Sequence, residues 1–255
     1  MSTVKLSRRL TQILEKIPRG SRLADIGSDH ALLPVAAVES GAAIQAIAGE
    51  VNPGPYDAAV KQVIESGMTD VISVRRGDGL NVLSAGEADV ITIAGMGGSL
   101  IAAILDRGID KLEGVRRLVL QPNVGEDILR KWLYSHDWVL IEELILEEDG
   151  KIYEVLIAEP SHTTDLTNEQ VYTERTIGDG VRLSTDWLFR MGPWLTKSPN
   201  PVFYDKWKSE MEKLGYILQS LSRSDLTTAA DKASEMRSDI EFIQEVLACL
   251  PKDKR

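Results

Sequence analysis

The chain has 255 residues, of which 43% are hydrophobic and 27% are charged, and this composition is typical of a folded globular protein rather than a disordered one. Its net charge of -10 disfavours binding of a polyanion over the whole surface, because phosphate contacts need Lys and Arg. A single cysteine, Cys249, excludes an intrachain disulfide and a cluster of cysteine metal ligands.

The first 160 residues alternate helical patterns with short apolar runs, as expected for an open α/β sheet. A leading helix, with Ser7 as its cap, is predicted from one apolar face formed by Leu10, Ile13, Leu14 and Ile17. Strands are predicted at Arg22–Ile26, Ile44–Gly49, Val71–Val74, Val90–Ala94 and Arg117–Gln121. Helices are predicted near Leu33–Glu39, Tyr56–Ser66, Leu100–Arg107 and Glu126–Ser135. Because each crossover is long enough to hold a helix, neighbouring strands are expected to be parallel.

The pattern changes at residues 138–159, WVLIEELILEEDGKIYEVLIAE. Two β-rich runs are joined there by Asp149-Gly150, which is a strong hairpin signal. The last two strands of the sheet are therefore expected to be antiparallel to each other.

A polar stretch, residues 161–169, predicts a boundary between a domain of residues 1–160 and a helical domain of residues 161–255. From Asn200-Pro201 onward, apolar residues recur at alternating steps of three and four, and the pattern resumes after residues 222–225. This spacing predicts an antiparallel coiled-coil hairpin. The first 160 residues carry a net charge of -8 and the remainder only -2, so the acidity is concentrated in the first domain.

Candidate ligand-binding residues follow four successive predicted strands, where an open α/β sheet binds its ligand. They are Asp25-Ile26-Gly27, Glu50, Asp78-Gly79 and the glycine-rich residues 95–98. Glu50 is placed to accept hydrogen bonds from both hydroxyls of a ribose, and Asp78-Gly79 to flank an adenine. The alternatives are that Asp25 only caps the next turn and that Asp78-Gly79 is an ordinary turn. The joint placement of these residues at strand ends favours a ligand site.

The first loop argues against a dinucleotide. A pyrophosphate site needs G-x-G-x-x-G, whereas Ser28, Asp29 and His30 replace the further glycines, and Asp29 would repel phosphate. S-adenosylmethionine contains adenosine, a sulfonium and an amino acid but no phosphate, and its positive groups suit acidic strand ends. We therefore expect S-adenosylmethionine as the cofactor, and no metal.

Four motifs occur in order: ADIGSDHALLP (24–34), GDGL (77–80), IAGMGG (93–98) and LQPN (120–123). Together they resemble the bacterial tRNA (adenine-N1)-methyltransferase family that modifies adenosine 22 of tRNA, and the resemblance covers the whole chain. It implies a class I methyltransferase fold, which is a Rossmann-like α/β domain. That domain has a seven-stranded sheet with an antiparallel last strand, here followed by the helical hairpin. It also implies S-adenosylmethionine as methyl donor and tRNA as substrate.

The resemblance also implies site residues. The implied donor-binding residues are Asp25, Gly27, Asp29 and His30 in the first loop, Glu50 at the ribose, Asp78 and Gly79 at the adenine, and Gly95 and Met96 at the methyl group. One residue departs from the family pattern: Leu32 stands where a tyrosine is expected, so stacking of a base at that position is in doubt.

Adenine N1 carries its own lone pair, so methyl transfer needs alignment more than a strong base. The methylated ring is cationic, which favours a nearby carboxylate or amide acceptor. Asp29 and Asn123 are the catalytic candidates that face the base. The alternatives are that Asp29 serves only the donor and that residues 121–123 form only a turn.

Basic residues of the leading helix and the hairpin are the candidate RNA contacts: Arg8, Arg9, Lys206, Lys213 and Arg223. On composition alone a solvated helix face or a dimer contact is the stronger interpretation of the hairpin, and the resemblance favours RNA. We expect a monomer with no obligate protein partner. The printed sequence does not open with the basic and then apolar pattern of a signal peptide. Its longest uncharged run, residues 90–105, is shorter than the ~20 residues of a membrane span. We therefore expect a soluble, cytoplasmic protein.

Three rival functions remain open on the residues. They are a methyltransferase acting on a small molecule or a protein, an NAD-dependent oxidoreductase, and a non-catalytic RNA-binding protein of the same fold.

Overall fold

The structure, a computed structural model, describes residues 4–178, 180–221 and 227–251. The chain divides into two compact units, Met1–Val171 and Tyr172–Arg255. Within the described residues no helix is long and apolar enough to cross a membrane.

The first unit contains a seven-stranded sheet in the order β3-β2-β1-β4-β5-β7-β6. Its strands are β1 (Ser21–Ile26), β2 (Ala43–Glu50), β3 (Ile72–Arg76), β4 (Val90–Met96), β5 (Arg117–Pro122), β6 (Trp138–Glu148) and β7 (Lys151–Pro160). The first five are parallel to one another, and β7 is antiparallel to both β5 and β6. The predicted seven-stranded sheet and its antiparallel last strand are confirmed.

The helices described in this unit are α1 (Arg8–Leu14), α2 (Leu32–Glu39), α3 (Pro53–Glu65), α4 (Gly98–Arg107), α5 (Glu126–Ser135) and the short α6 (Asn168–Val171). Of these, α2, α3 and α4 connect parallel strands, as predicted, and a 3-10 turn, Gly79–Val82, lies between β3 and β4. The Ser7 hydroxyl caps α1 by accepting a hydrogen bond from the Leu10 backbone N–H at 3.2 Å. The central strands β4 and β5 read as continuous apolar runs because helices cover both faces of a parallel sheet. Ile91, Ile93, Leu118 and Leu120 are accordingly fully buried.

The β6–β7 hairpin turns at Asp149-Gly150, as predicted, and both residues have positive φ, 52° and 71°. That combination is the one a two-residue hairpin turn requires. Beneath the hairpin, the fully buried Arg130 of α5 forms ion pairs with Glu143 of β6 and Glu154 of β7. Removing one member of this group would leave a buried charge unpaired, which is strongly destabilising. The three side chains therefore hold α5 on the sheet.

The second unit contains the β8–β9 hairpin and three helices, with bounds β8 (Arg175–Ile177), β9 (Val181–Leu183), α7 (Thr185–Met191), α8 (Pro201–Leu221) and α9 (Thr227–Cys249). Helices α8 and α9 pack against each other. Predicted seam positions such as Trp207, Ile243 and Leu247 are buried. The predicted link between the helices, residues 222–225, lies outside the described residues, so the coiled-coil hairpin stays a prediction.

The two units divide later than the predicted boundary at residue 160, because the segment after β7 stays with the first unit. Asn168 of α6 donates from Nδ2 to the Tyr134 carbonyl at 3.3 Å, and Val171 is buried.

Candidate active site at the carboxyl edge of the sheet

The order of the sheet reverses between β1 and β4, and most of the predicted site residues follow the carboxyl ends of these strands and their neighbours. In an open α/β sheet this reversal leaves a crevice for a ligand. Ile26 is in register with both Gly49 of β2 and Ile93 of β4, so the three strands end at one level. The topology therefore brings Asp25, Glu50 and Gly95 to the same edge.

Asp25 is buried at the end of β1, and both of its carboxylate oxygens accept hydrogen bonds. Ser28 Oγ donates to Oδ2 at 2.6 Å and Thr92 Oγ1 donates to Oδ1 at 2.5 Å. Burial raises the pKa of Asp25 from 3.8 to about 6, although the two hydroxyls pull it down. Asp25 thus fixes the loop that follows β1 through its hydrogen bond with Ser28.

That loop, residues 27–31, has a strained backbone. Gly27 has a φ of 72°, and three successive non-glycine residues, Asp29, His30 and Ala31, have φ values of 32°, 65° and 53°. Left-handed conformations are unfavourable for residues with a Cβ and occur mainly where the surroundings enforce them, often at functional sites. The exposed side chains of Asp29 and His30 lie close together, with Oδ1 and Nε2 3.4 Å apart.

Glu50, at the end of β2, enforces part of this conformation. Its Oε1 accepts a hydrogen bond from the Asp29 backbone N–H at 2.6 Å. The residue is 6% exposed, and its second oxygen, Oε2, has no hydrogen-bond partner in the part of the chain that the structure describes. A carboxylate that is nine-tenths buried with one oxygen open is suited to accept hydrogen bonds from a ribose.

Gly27 and Met96 lie against each other across the reversal between β1 and β4. A Cβ added to Gly27 would lie 2.2 Å from the Met96 methyl carbon, so no other residue fits at position 27 without moving Met96. Gly95 is also left-handed, with φ at 78°, and β4 is irregular between Ala94 and Met96. The backbone of residues 95–97 is thus open beside the first loop.

Asp78 and Gly79 follow β3 at the same edge, since the Gly77 backbone N–H donates to the Glu50 carbonyl at 2.9 Å. The Asp78 carboxylate is half-exposed and lies 3.4 Å from the Arg107 guanidinium. Gly79 packs against Ile104, whose Cγ2 would be 3.0 Å from an added Cβ.

A network of side-chain amides joins the ends of β4 and β5. Gln121 is fully buried, and its Oε1 accepts from the Gly95 backbone N–H at 3.1 Å. Its Nε2 donates to Asn123 Oδ1 at 3.2 Å, and Asn123 Nδ2 donates to the Gly95 carbonyl at 2.8 Å. Asn123 therefore joins the turn after β5 to Gly95, within the open backbone of β4.

Arg9 reaches the same network from α1. Its guanidinium donates to Gln121 Oε1 and lies over the Tyr153 ring at 5.2 Å. One guanidinium nitrogen would be 3.8 Å from a Cβ at Gly95. The neighbouring Arg8 is exposed, and its backbone N–H donates to the Glu148 carboxylate. Arg9 therefore lies in the site, whereas Arg8 lies at the surface of α1.

The remaining RNA candidates belong to the second unit. Lys206 and Lys213 lie on α8, with Lys213 forming an ion pair with Glu210 at 2.6 Å and Lys206 lying 5.9 Å from the Trp207 ring. Arg223 lies outside the described residues.

In the first unit, Leu32 is partly buried and packs against the hydrophobic core. Its side chain therefore anchors α2 rather than stacking on a base.

Thr92 and Gln121 were not predicted as site residues, and Ser28 was predicted only as one of the residues that replace the glycines of a pyrophosphate loop. Ser28 and Gln121 lie inside motifs that it quoted, and Thr92 is a hydroxyl in an otherwise apolar strand. Each is a polar residue that must find a partner once its strand or loop is buried, and that requirement is the available signal.

The fold and the site define a class I methyltransferase: a seven-stranded sheet with its last strand antiparallel, acidic strand ends, and a single-glycine first loop without a pyrophosphate site. The sequence profile of the TrmK family, tRNA (adenine(22)-N(1))-methyltransferase, matches residues 23–245. The chain belongs to this family.

Relatives of known sequence and structure agree. The chain is 47% identical to the Bacillus subtilis tRNA (adenine(22)-N(1))-methyltransferase over 248 residues, 97% of this chain and 99% of that protein. The crystal structure of a B. subtilis TrmK has a TM-score of 0.85 with 46% identity, covering 95% of this chain and 99% of that one. A Streptococcus pneumoniae structure in complex with S-adenosyl-L-methionine has a TM-score of 0.78 with 40% identity, covering 95% of this chain and 100% of that one.

Proposed function

We propose that this chain transfers the methyl group of S-adenosylmethionine to N1 of adenosine 22 in tRNA, the activity for which its family is named. The observation that carries the proposal is the buried Glu50, with one oxygen fixed by the first loop and the other open at the carboxyl edge. Such a group suits the ribose of an adenosine cofactor without phosphates.

The donor residues divide into two roles. Glu50 Oε2 accepts from the ribose, while Asp25 holds the first loop in place through Ser28. Gly27, Asp29 and His30 supply the left-handed loop over which the donor lies, and Asp78 with Gly79 borders the adenine. When bound, the donor supplies an electrophilic methyl group on a sulfonium. Gly95 and Met96 border that methyl group.

On the acceptor side we assign Asn123 to position the target base. One hydrogen of its Nδ2 is used by the Gly95 carbonyl, while an Oδ1 lone pair remains to accept a hydrogen bond from the N6 amino group of an adenine, which leaves N1 free to attack the methyl group. A carbonyl oxygen there also stabilises the ring as it becomes cationic. Asp29, whose side chain is 81% exposed, is the second candidate to face the base.

The tRNA contacts are proposed at Arg8, Lys206, Lys213 and Arg223, with Arg9 acting inside the site. Family membership favours tRNA over a small-molecule or protein substrate and over NAD-dependent oxidation. The monomeric state, the lack of an obligate protein partner and the cytoplasmic location stay predictions.

The test is to incubate the protein with unmodified tRNA and methyl-labelled donor and to map the modified base. We expect label at N1 of adenosine 22. Label on another nucleotide, or on a metabolite panel but not on tRNA, would refute the proposal. An adenosine-22-to-guanosine tRNA is the matched control, because it keeps the tRNA shape but removes the acceptor.

A further inference from the structure

An open cavity lies beside Asn123, and its other lining residues are Lys151, Ile152 and Tyr153. The last three begin β7, which runs antiparallel to β5, so they lie at the carboxyl edge near the end of β5. The motifs in the sequence did not point to these residues.

The cavity adjoins the open backbone of β4. Asn123 lines it and also donates to the Gly95 carbonyl at 2.8 Å. Tyr153 lines it from the other side and lies beneath the Arg9 guanidinium, which reaches Gln121 and approaches Gly95. The cavity and the backbone proposed to border the methyl group thus share Asn123, and Arg9 links Tyr153 to that backbone.

The lining offers three kinds of contact. The Tyr153 ring is half-buried and supported by Arg9, and its hydroxyl has no hydrogen-bond partner in residues 4–178, 180–221 and 227–251. Lys151 is exposed and forms no ion pair within those same residues. The Tyr153 ring suits the face of a base, the Asn123 amide suits its pairing edge, and the Lys151 ammonium suits a phosphate.

We infer that this cavity receives the target adenosine after it leaves its stack, an inference that rests on the proposed function. Tyr153 stacks on the base, Asn123 meets its pairing edge, and Lys151 contacts an adjacent phosphate. N1 lies on the pairing edge of adenine, so a paired adenosine has to be extruded before transfer, and an aromatic platform offsets part of the lost stacking. Tyr153 thereby supplies the aromatic ring that Leu32 does not.

The first test compares Tyr153→Leu with Tyr153→Phe. Stacking on an aromatic side chain contributes about 1–3 kcal/mol per base, so the leucine variant should lose about tenfold to a hundredfold in kcat/KM for tRNA. The phenylalanine variant keeps the ring and should recover most of that loss. Affinity for S-adenosylmethionine, measured by calorimetry without tRNA, should stay within about twofold in both variants.

The second test compares Lys151→Met with Lys61→Met. Lys61 is an exposed lysine on α3 whose ion pair with Glu65 spans 3.7 Å, so its removal is the matched loss of one surface charge. Lys151→Met should weaken tRNA binding about threefold to tenfold. It should also reduce the slope of log affinity against log salt concentration by the amount expected for about one phosphate contact. Lys61→Met should change neither quantity.

Three results would overturn the inference. One is a Tyr153→Leu enzyme that methylates tRNA as fast as the wild type. Another is a parallel loss of donor affinity, which would make Tyr153 a support for Arg9. The third is a phenylalanine variant as poor as leucine. Wild-type protein that methylates no tRNA would instead refute the proposed function, so the two failures are distinguishable.

Discussion

The carboxyl ends of β1 and β2 carry buried carboxylates, whereas those of β4 and β5 carry an amide network joined to a guanidinium and a tyrosine. We call the first set, Asp25, Ser28, Asp29 and Glu50, the donor half of the edge. We call the second set, Arg9, Gln121, Asn123 and Tyr153, the acceptor half. The two halves flank the reversal in strand order between β1 and β4.

The contrast fits the roles proposed for the two halves. A donor with a sulfonium, an amino group and a ribose favours acceptor oxygens, and buried carboxylates are strong acceptors. A target base is neutral and flanked by phosphates, so amides, an aromatic ring and cations suit it better. With the carboxylates in the donor half and the Arg9 guanidinium in the acceptor half, a protein of net charge -10 would present a polyanion with a less acidic part of this edge.

The largest expected effect is in the donor half. Glu50→Ala removes both the open oxygen and the acceptor for the Asp29 backbone N–H, so donor affinity should fall about 10- to 100-fold. Titration calorimetry with S-adenosylmethionine measures this directly. Unchanged affinity would show that the ribose is held elsewhere and would break the distinction between the two halves.

Charge reversal in the second unit tests whether cations outside the sheet edge also contact RNA. Lys206→Glu with Lys213→Glu should weaken tRNA binding about 10- to 30-fold and flatten its salt dependence, while donor affinity is retained. Lys61→Glu in the first unit provides the matched reversal. If the double variant binds tRNA as tightly as the Lys61 control, α8 is only a structural or dimer contact.

In the acceptor half, Asn123→Ala should lower kcat about tenfold but change donor affinity less than threefold. The variant loses two hydrogen bonds that hold Gly95 and Gln121. Gln45→Ala is the control, because Gln45 is an exposed amide near the amino end of β2. Equal losses in kcat and donor affinity would assign Asn123 to the shared scaffold instead.

The smallest effect concerns pH and stability. Because the folded pKa of Asp25 is raised from 3.8 to about 6, its contribution to stability is full below about pH 4 and is lost as pH rises through 6. Asp25→Asn removes the buried charge, so it should raise the free energy of unfolding by roughly 1–2 kcal/mol at pH 8 and leave it unchanged near pH 4. Denaturant unfolding at both pH values is the measurement.

Glu87→Gln is the control of opposite sign. The Arg75 guanidinium lowers the pKa of Glu87 from 4.5 to about 2, so the carboxylate stabilises the fold above pH 4.5 and loses that contribution as pH falls through 2. The glutamine variant should therefore be less stable than the wild type at pH 7, with a smaller difference at pH 3. Matching signs in the two variants would contradict the burial argument for Asp25.

The donor half could be located from the sequence because its residues lie at the end of a strand or just after one. Short strand patterns mark β1 and β2, and the topology of parallel strands brings their carboxyl ends together whatever the packing details are. The sequence could not show which oxygen of Glu50 is open. It also could not show that the Asp25 carboxylate accepts hydrogen bonds from Ser28 and Thr92. Those facts depend on side-chain directions in the folded loop.

The acceptor half was only partly predictable. Asn123 lies in a recognisable motif, but Tyr153 lies 30 positions later in an alternating strand that gives no functional signal. Its neighbour in space, Arg9, comes from the leading helix and was predicted as an RNA contact, not as a partner of Gln121 and Tyr153. Residues that meet through antiparallel pairing and helix packing leave no local pattern in the chain.

The sequence by itself determined the strand and helix order, the hairpin at Asp149-Gly150, the cofactor class and the family, because these depend on local periodicity, turn chemistry and motifs within single loops. Only the tertiary structure decided that Arg9, Gln121, Asn123 and Tyr153 converge at one edge, and that the first unit extends to Val171. The physical reason is that hydrogen bonds and ring contacts between distant segments form only after the sheet has set their positions.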